Sequence, residues 1–312
     1  MKLTLGIKSD PIEYRYSFDW LFSVMNECGI SLMQLGSFFE LYLLEDGFFH
    51  ELRNKAEKHG IRIKSCFTAH RELGGFFTGN PWLEKAARAA YERYIRVGSI
   101  LGAEFVGSNP GAIYRDRPET KPAGVACYLR HMKELMHMAR ESGLAGLTIE
   151  PMSCMAEPPS TPEEIHAMLG ELAAYHERRE ESTVPVYLCG DISHGIADAH
   201  RRVIHDNFAL FETAIPYMAE FHFKNTDPVF NSTFGFSAGE QARGIVDLER
   251  LRHLIGCNDH AWPLAEVTGY LEIGGPKTGR DYTDHLLKSM IVESLESLKA
   301  VFAEPDRSAM VA

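Results

Sequence analysis

The chain has 312 residues, of which 45% are hydrophobic and 24% charged; 32 basic against 43 acidic residues give a formal net charge of −11. That is ordinary globular composition with length to spare for a large core, and the acidic balance argues against a non-specific nucleic-acid surface. No apolar run approaches the ~20 residues that span a bilayer.

The opening Met1–Lys8 run is too short for a signal peptide and reads as a first strand. Short β-favouring runs then alternate with longer helical patterns. The strands are expected at Leu3–Ile7, Leu32–Leu35, Ile61–Phe67, Phe105–Ser108, Leu147–Glu150, Val186–Asp191, Ala219–Phe223 and Trp262–Glu266. Helix signals fall between them. A first helix runs from Ser17 to Cys28 and a second ends at His59-Gly60. A third opens at Asn80-Pro81 and closes at Leu101-Gly102, with an N-cap, a proline at the first helical position and a glycine stop. The fourth covers Pro122 to Ser142. The fifth opens Thr161-Pro162-Glu163-Glu164, where Thr161 is placed to cap the Glu164 amide. Later helices are expected near Asp198–Phe211, Asp247–Leu254 and Tyr282–Phe302.

Eight strand–helix units imply parallel strands with crossover helices, and they close naturally into a (β/α)₈ TIM barrel of the α/β class. The expectation is one catalytic domain over residues 1–305 with a tail at 306–312. No GxGxxG follows the first strand, which disfavours the open doubly wound alternative. Six scattered cysteines without CxxC spacing suggest reduced thiols and a cytoplasmic protein. The longest irregular stretches follow strand ends, where a barrel places its active site.

Four of those strands end at or near a metal-ligand residue: Glu150, Asp191, His222 and Glu266. Each alone reads more readily as a cap, a turn residue, a hydrogen-bonded core histidine or a salt-bridge partner. Together they are costly at the ends of apolar strands unless a cation offsets their charge. Three carboxylates and one imidazole make a mostly hard set, suited to one Mn2+, Mg2+ or Co2+ ion, with Zn2+ also compatible. Lys224 shares a strand face with His222. His70 and Asn109, at the ends of the third and fourth strands, are placed to line the mouth.

The order Glu150, Asp191-x-x-His194, His222, Glu266 resembles the xylose-isomerase-like superfamily of barrel enzymes, nearest within it to the ketose 3-epimerases. The resemblance runs through nearly the whole chain, and its most specific parts are Asp191-x-x-His194 and Glu150-Pro151. It implies that Glu150, Asp191, His222 and Glu266 hold the metal, usually manganese. It also implies that Glu150 and Glu266 act as an acid/base pair and that His194 contacts a substrate oxygen. The partner is then a small sugar or sugar phosphate rather than nucleic acid or a membrane, and the assembly a homo-oligomer, dimer or tetramer. There are departures. The arginine that these epimerases commonly carry six positions after the metal histidine is Pro228 here; Lys224 is the candidate to supply that charge, and it reads equally well as a surface lysine that follows a strand.

The chemistry follows from the ligands. Removing a proton α to a carbonyl gives an enediolate, whose charge a divalent cation stabilises. A carboxylate on each face of the substrate then gives C3 epimerisation, and transfer between neighbouring carbons gives aldose–ketose isomerisation. Two further reactions use similar parts: β-elimination from a keto-glycoside, and metal-dependent hydrolysis of the endonuclease IV type. The latter needs three zinc ions and more histidines than this pattern offers.

Overall fold

A computed structural model describes residues 1–36, 38–68 and 71–302. Eight strands form the barrel: β1 (Lys2–Lys8), β2 (Leu32–Leu35), β3 (Arg62–Thr68), β4 (Phe105–Ser108), β5 (Gly146–Ile149), β6 (Val186–Asp191), β7 (Met218–Phe223) and β8 (Glu266–Leu271). Each is followed by a helix: α1 (Phe18–Glu27), α2 (Asp46–Lys58), α3 (Pro81–Leu101), α4 (Lys121–Glu141), α5 (Pro162–Glu177), α6 (Asn207–Ala214), α7 (Leu248–Cys257) and α8 (Leu287–Phe302). The strands pair in parallel and close in the order β1-β8-β7-β6-β5-β4-β3-β2, so that every strand lies beside its neighbours in sequence. This is the (β/α)₈ barrel that the alternating pattern implies. Among the described residues no helix is long and apolar enough to cross a membrane.

The helix ends follow the local chemistry. The Asn80 side chain accepts from the amides of Trp82 and Leu83, and Thr161 accepts from Glu164 N at 3.3 Å. Glu164 does not close a capping box with Thr161, but turns back to Ser160 N at 2.9 Å. Gly102, at φ 72°, ends α3 in the left-handed conformation that glycine adopts without a Cβ clash.

Two expected elements need correction. The segment 198–211 is not one helix: Val203–His205 pairs antiparallel with Ile196–Ala197, and α6 starts only at Asn207, capped by Asp206. The last strand is not Trp262–Glu266. It begins at Glu266 and runs on through Val267, Thr268 and Tyr270, residues that pack well on a pleated surface. The expected tail at 306–312 lies outside the described residues.

Strand alternation decides what fills the barrel. In β7, Phe221 and Phe223 turn outward, against Phe211 and Trp262 and against Phe302, while Glu220 and His222 turn inward. The interior is tight: a Cβ on Gly6 of β1 would lie 2.5 Å from the ring of Tyr270 in β8.

Candidate metal centre

At the C-terminal mouth, four side chains meet. Glu150 directly follows β5, Asp191 ends β6, His222 stands one residue before the end of β7, and Glu272 directly follows β8. One ligand atom from each lies within 4.8 Å of all the others. Backbone pairing sets this up: Asp191 stands opposite His222, Tyr270 also stands opposite His222, and Glu272 N donates to Phe223 O at 3.0 Å. His222 Nδ1 is 3.0 Å from Glu150 Oε1 and 2.9 Å from Glu272 Oε2.

Three of the four residues expected at the site therefore converge, and Glu266 does not. It opens β8 at the far end of the barrel, where its half-exposed carboxylate pairs with Lys64 at 3.3 Å and Lys2 at 3.6 Å. Those lysines hold its carboxyl below the usual range, the Lys64 hydrogen bond contributing most. Glu272 takes the fourth position. The legible sign of it was the run Glu266-Val267-Thr268-Gly269-Tyr270-Leu271-Glu272, a better strand than its proline-containing predecessor.

Two buried ammonium groups complete the electrostatics. Lys224 ion-pairs with Asp191 Oδ2 and lies 3.6 Å from Glu272 Oε2. Lys8, missed in the sequence, is fully buried at the end of β1; it lies 2.9 Å from Asp10 Oδ2 and 3.1 Å from Glu272 Oε1, over the face of Phe67. Burial alone would raise the Glu272 carboxyl, but Lys224, Lys8 and His222 outweigh it and hold it well below its ordinary value. Asp191 is lowered for the same reason, with His194 and Lys224 overcoming burial. Burial pulls the His222 imidazolium down, yet the Cys189 sulfur and the Glu272 carboxylate more than offset it, and its pKa stands well above that of a free imidazole.

The remaining expected residues divide. His194 Nδ1 donates to Pro151 O at 2.7 Å, which aims Nε2 at Asp191 Oδ2, 3.3 Å away, and at Lys224. Asn109 follows β4, and its amide reaches Met152 Sδ at 2.9 Å. His70 lies outside the described residues. Outside that expected set, Phe76 and Phe77 are core, the first stacked on His131 and the second against Tyr128. Phe38 and Phe48, by contrast, line a cavity of about 280 Å3 that reaches Ser9, next to Lys8.

The cluster suits a cation. Oxygen ligands about 2.1 Å from a small divalent ion stand up to about 4.2 Å apart across it, and the four groups lie within 4.8 Å of one another. Asp191 Oδ2 and Glu272 Oε2 are buried and accept no well-directed hydrogen bond, so both have coordination capacity left. A second group, Glu84, Cys127 and His131 on α3 and α4, does not invite a metal. The Arg130 guanidinium already lies within 3.4 Å of all three.

A closed eight-stranded barrel whose mouth gathers three carboxylates and a histidine is an architecture shared by many enzymes, and sequence assigns it further. The model of the xylose isomerase-like TIM barrel family matches residues 22–269, and the chain belongs to that family. No curated protein matches it in sequence. Among solved structures it is similar to a candidate xylose isomerase from Rhodospirillum rubrum (20% identity, TM-score 0.76, covering 97% of this chain and 100% of that one). It is also similar to D-psicose 3-epimerase with D-tagatose from Clostridium cellulolyticum (15% identity, TM-score 0.68, 97% and 99% covered). A third is 3-keto-D-glucoside 4-epimerase from E. coli (12% identity, TM-score 0.64, 96% and 100% covered).

Proposed function

We propose that the chain is a divalent-metal-dependent epimerase or isomerase of a ketose or ketose phosphate, with Glu150 and Glu272 as its acid/base pair. The observation that carries this reading is the convergence of Glu150, Asp191, His222 and Glu272 within 4.8 Å at the barrel mouth. A divalent ion held by those four residues would act as a Lewis acid toward the substrate's oxygens. Glu150 and Glu272 approach from β5 and β8, and both lie beside His222 Nδ1. One carboxylate removes the proton α to the carbonyl, and the other returns a proton to the opposite face. His194 and Lys224, both beside Asp191, orient substrate oxygens, and Lys224 adds positive charge where the enediolate develops. Among the described residues the mouth gathers ligands for one ion, which favours proton transfer over a three-metal hydrolysis.

A screen of ketoses and ketose phosphates in D2O with added Mn2+ tests the reading. Deuterium at C3 supports epimerisation, and deuterium at C1 or C2 supports isomerisation. Loss of a leaving group would move the reaction to β-elimination, and no exchange with any substrate would overturn the proposal.

A further inference from the structure

His222 turns different nitrogens to two sides. Nδ1 faces the carboxylates of Glu150 and Glu272, whereas Nε2 is 2.8 Å from Gln34 Oε1. A histidine ligates a metal only through a nitrogen free of its proton. For Nδ1 to do so, the proton that remains must be held on Nε2. What holds it there depends on which end of the Gln34 amide faces the ring.

The answer lies deeper in the barrel. The Gln34 amide nitrogen is 3.4 Å from Ser65 Oγ, and the Ser65 hydroxyl donates to Glu220 Oε1 at 2.9 Å. Thr148 donates to the same oxygen at 3.0 Å. Ser65 has one proton, and the acceptor oxygen of Glu220 claims it. Ser65 Oγ is then left only to accept, and the group of Gln34 that turns to it must be the NH2. That orientation turns the carbonyl of Gln34 to His222, which must donate through Nε2. Gln34, Ser65, Thr148 and His222 are completely buried and Glu220 is 1% exposed, so water is not at hand to replace a link. Cys189 Sγ, 3.4 Å from Nε2, is too weak a partner to set the direction.

We propose that Gln34, Ser65 and Glu220 form a one-way hydrogen-bond relay that keeps a proton on His222 Nε2 and so reserves Nδ1 for the cation. All three are positioning residues. The inference rests on the metal reading only for its purpose, since the direction of the relay is a property of the chain alone.

Nitrogen-15 NMR of histidine-labelled protein, metal-free and loaded with diamagnetic Mg2+ or Zn2+, reads the protonation of each ring nitrogen. Nε2 is expected to carry its proton in both states, and an unprotonated Nε2 in either state would overturn the relay. Calorimetric titration of metal-stripped protein with Mn2+ provides the second readout. Gln34→Met should weaken binding about 10- to 100-fold, Ser65→Ala should weaken it less, and Gln34→Glu, which keeps an acceptor toward Nε2, should recover most of the loss. Equal affinity in wild type and a folded Gln34→Met would also overturn it. Wild-type protein that keeps the Nε2 proton yet binds no divalent ion would sink the proposed function and leave the relay standing.

Discussion

The two ends of β8 carry the same residue type in opposite circumstances. Glu266, at the N-terminal rim, belongs to a cluster with Lys2, Lys64, Arg62 and Glu104, in which three cations face two carboxylates and most partners are half-exposed. Glu272, at the C-terminal mouth, belongs to a cluster in which, among the described residues, Glu150, Asp191, Asp10 and Glu272 face Lys8 and Lys224 as permanent cations. The first cluster neutralises itself next to water. The second is buried, short of positive charge, and leaves Asp191 Oδ2 and Glu272 Oε2 without a well-directed donor. A carboxylate at a strand end therefore says little by itself. The charge balance and burial around it separate a rim salt bridge from a candidate cation site.

Substitution at the two glutamates tests that contrast most severely. Glu272→Gln should lower turnover about 10²–10⁴-fold and reduce bound metal measured by plasma mass spectrometry. Glu266→Gln should leave both essentially at wild-type level. Equal losses at the two positions would erase the distinction.

Lysines give the next largest effect. Lys8→Met leaves Asp10 without its buried cation and Glu272 with Lys224 alone, and should cost about 3–5 kcal/mol in urea unfolding of the metal-free protein. Lys2→Met, at the exposed rim, should cost about 1 kcal/mol or less. Metal itself should act only at the mouth. At a free Mn2+ concentration of 100 times Kd the wild type should gain about 2.7 kcal/mol, read as a rise in the urea midpoint. Glu266→Gln should keep that gain and Glu272→Gln should lose it.

The smallest effect is in acid. Lys64 and Lys2 lower the folded-state pKa of Glu266, so its contribution to stability is present above the unfolded value of about 4.3 and is lost as pH falls through the folded value. Glu266→Gln should flatten the acid limb of urea stability below about pH 5 by less than about 1 kcal/mol, because the side chain is nearly half exposed. A steeper limb in the variant would reverse the assignment of Lys64 as its stabilising partner.

Much of the molecule was legible in its residues because the signals are local. Alternating β-rich runs and capped helices implied eight strand–helix units. Glu150, Asp191 and His222 were readable because each sits at or just before the end of its own apolar strand. Where local signals are ambiguous, the residues alone misplace an element. Trp262–Glu266 ends in a glutamate as Leu147–Glu150 does, and the resemblance drew the last strand one segment too early. The mouth is the C-terminal end of every strand, but nothing local decides where β8 itself begins and ends. That is set by the pairing of Tyr270 with His222, across the register of β7. Lys8, far from Glu272 in sequence, and Gln34, far from His222, lay outside sequence reasoning for the same reason. A side chain's period within one strand follows from its own residues. Which side chains from different strands share a layer follows only from strand register in the closed barrel, and it is there that Glu272 replaces Glu266.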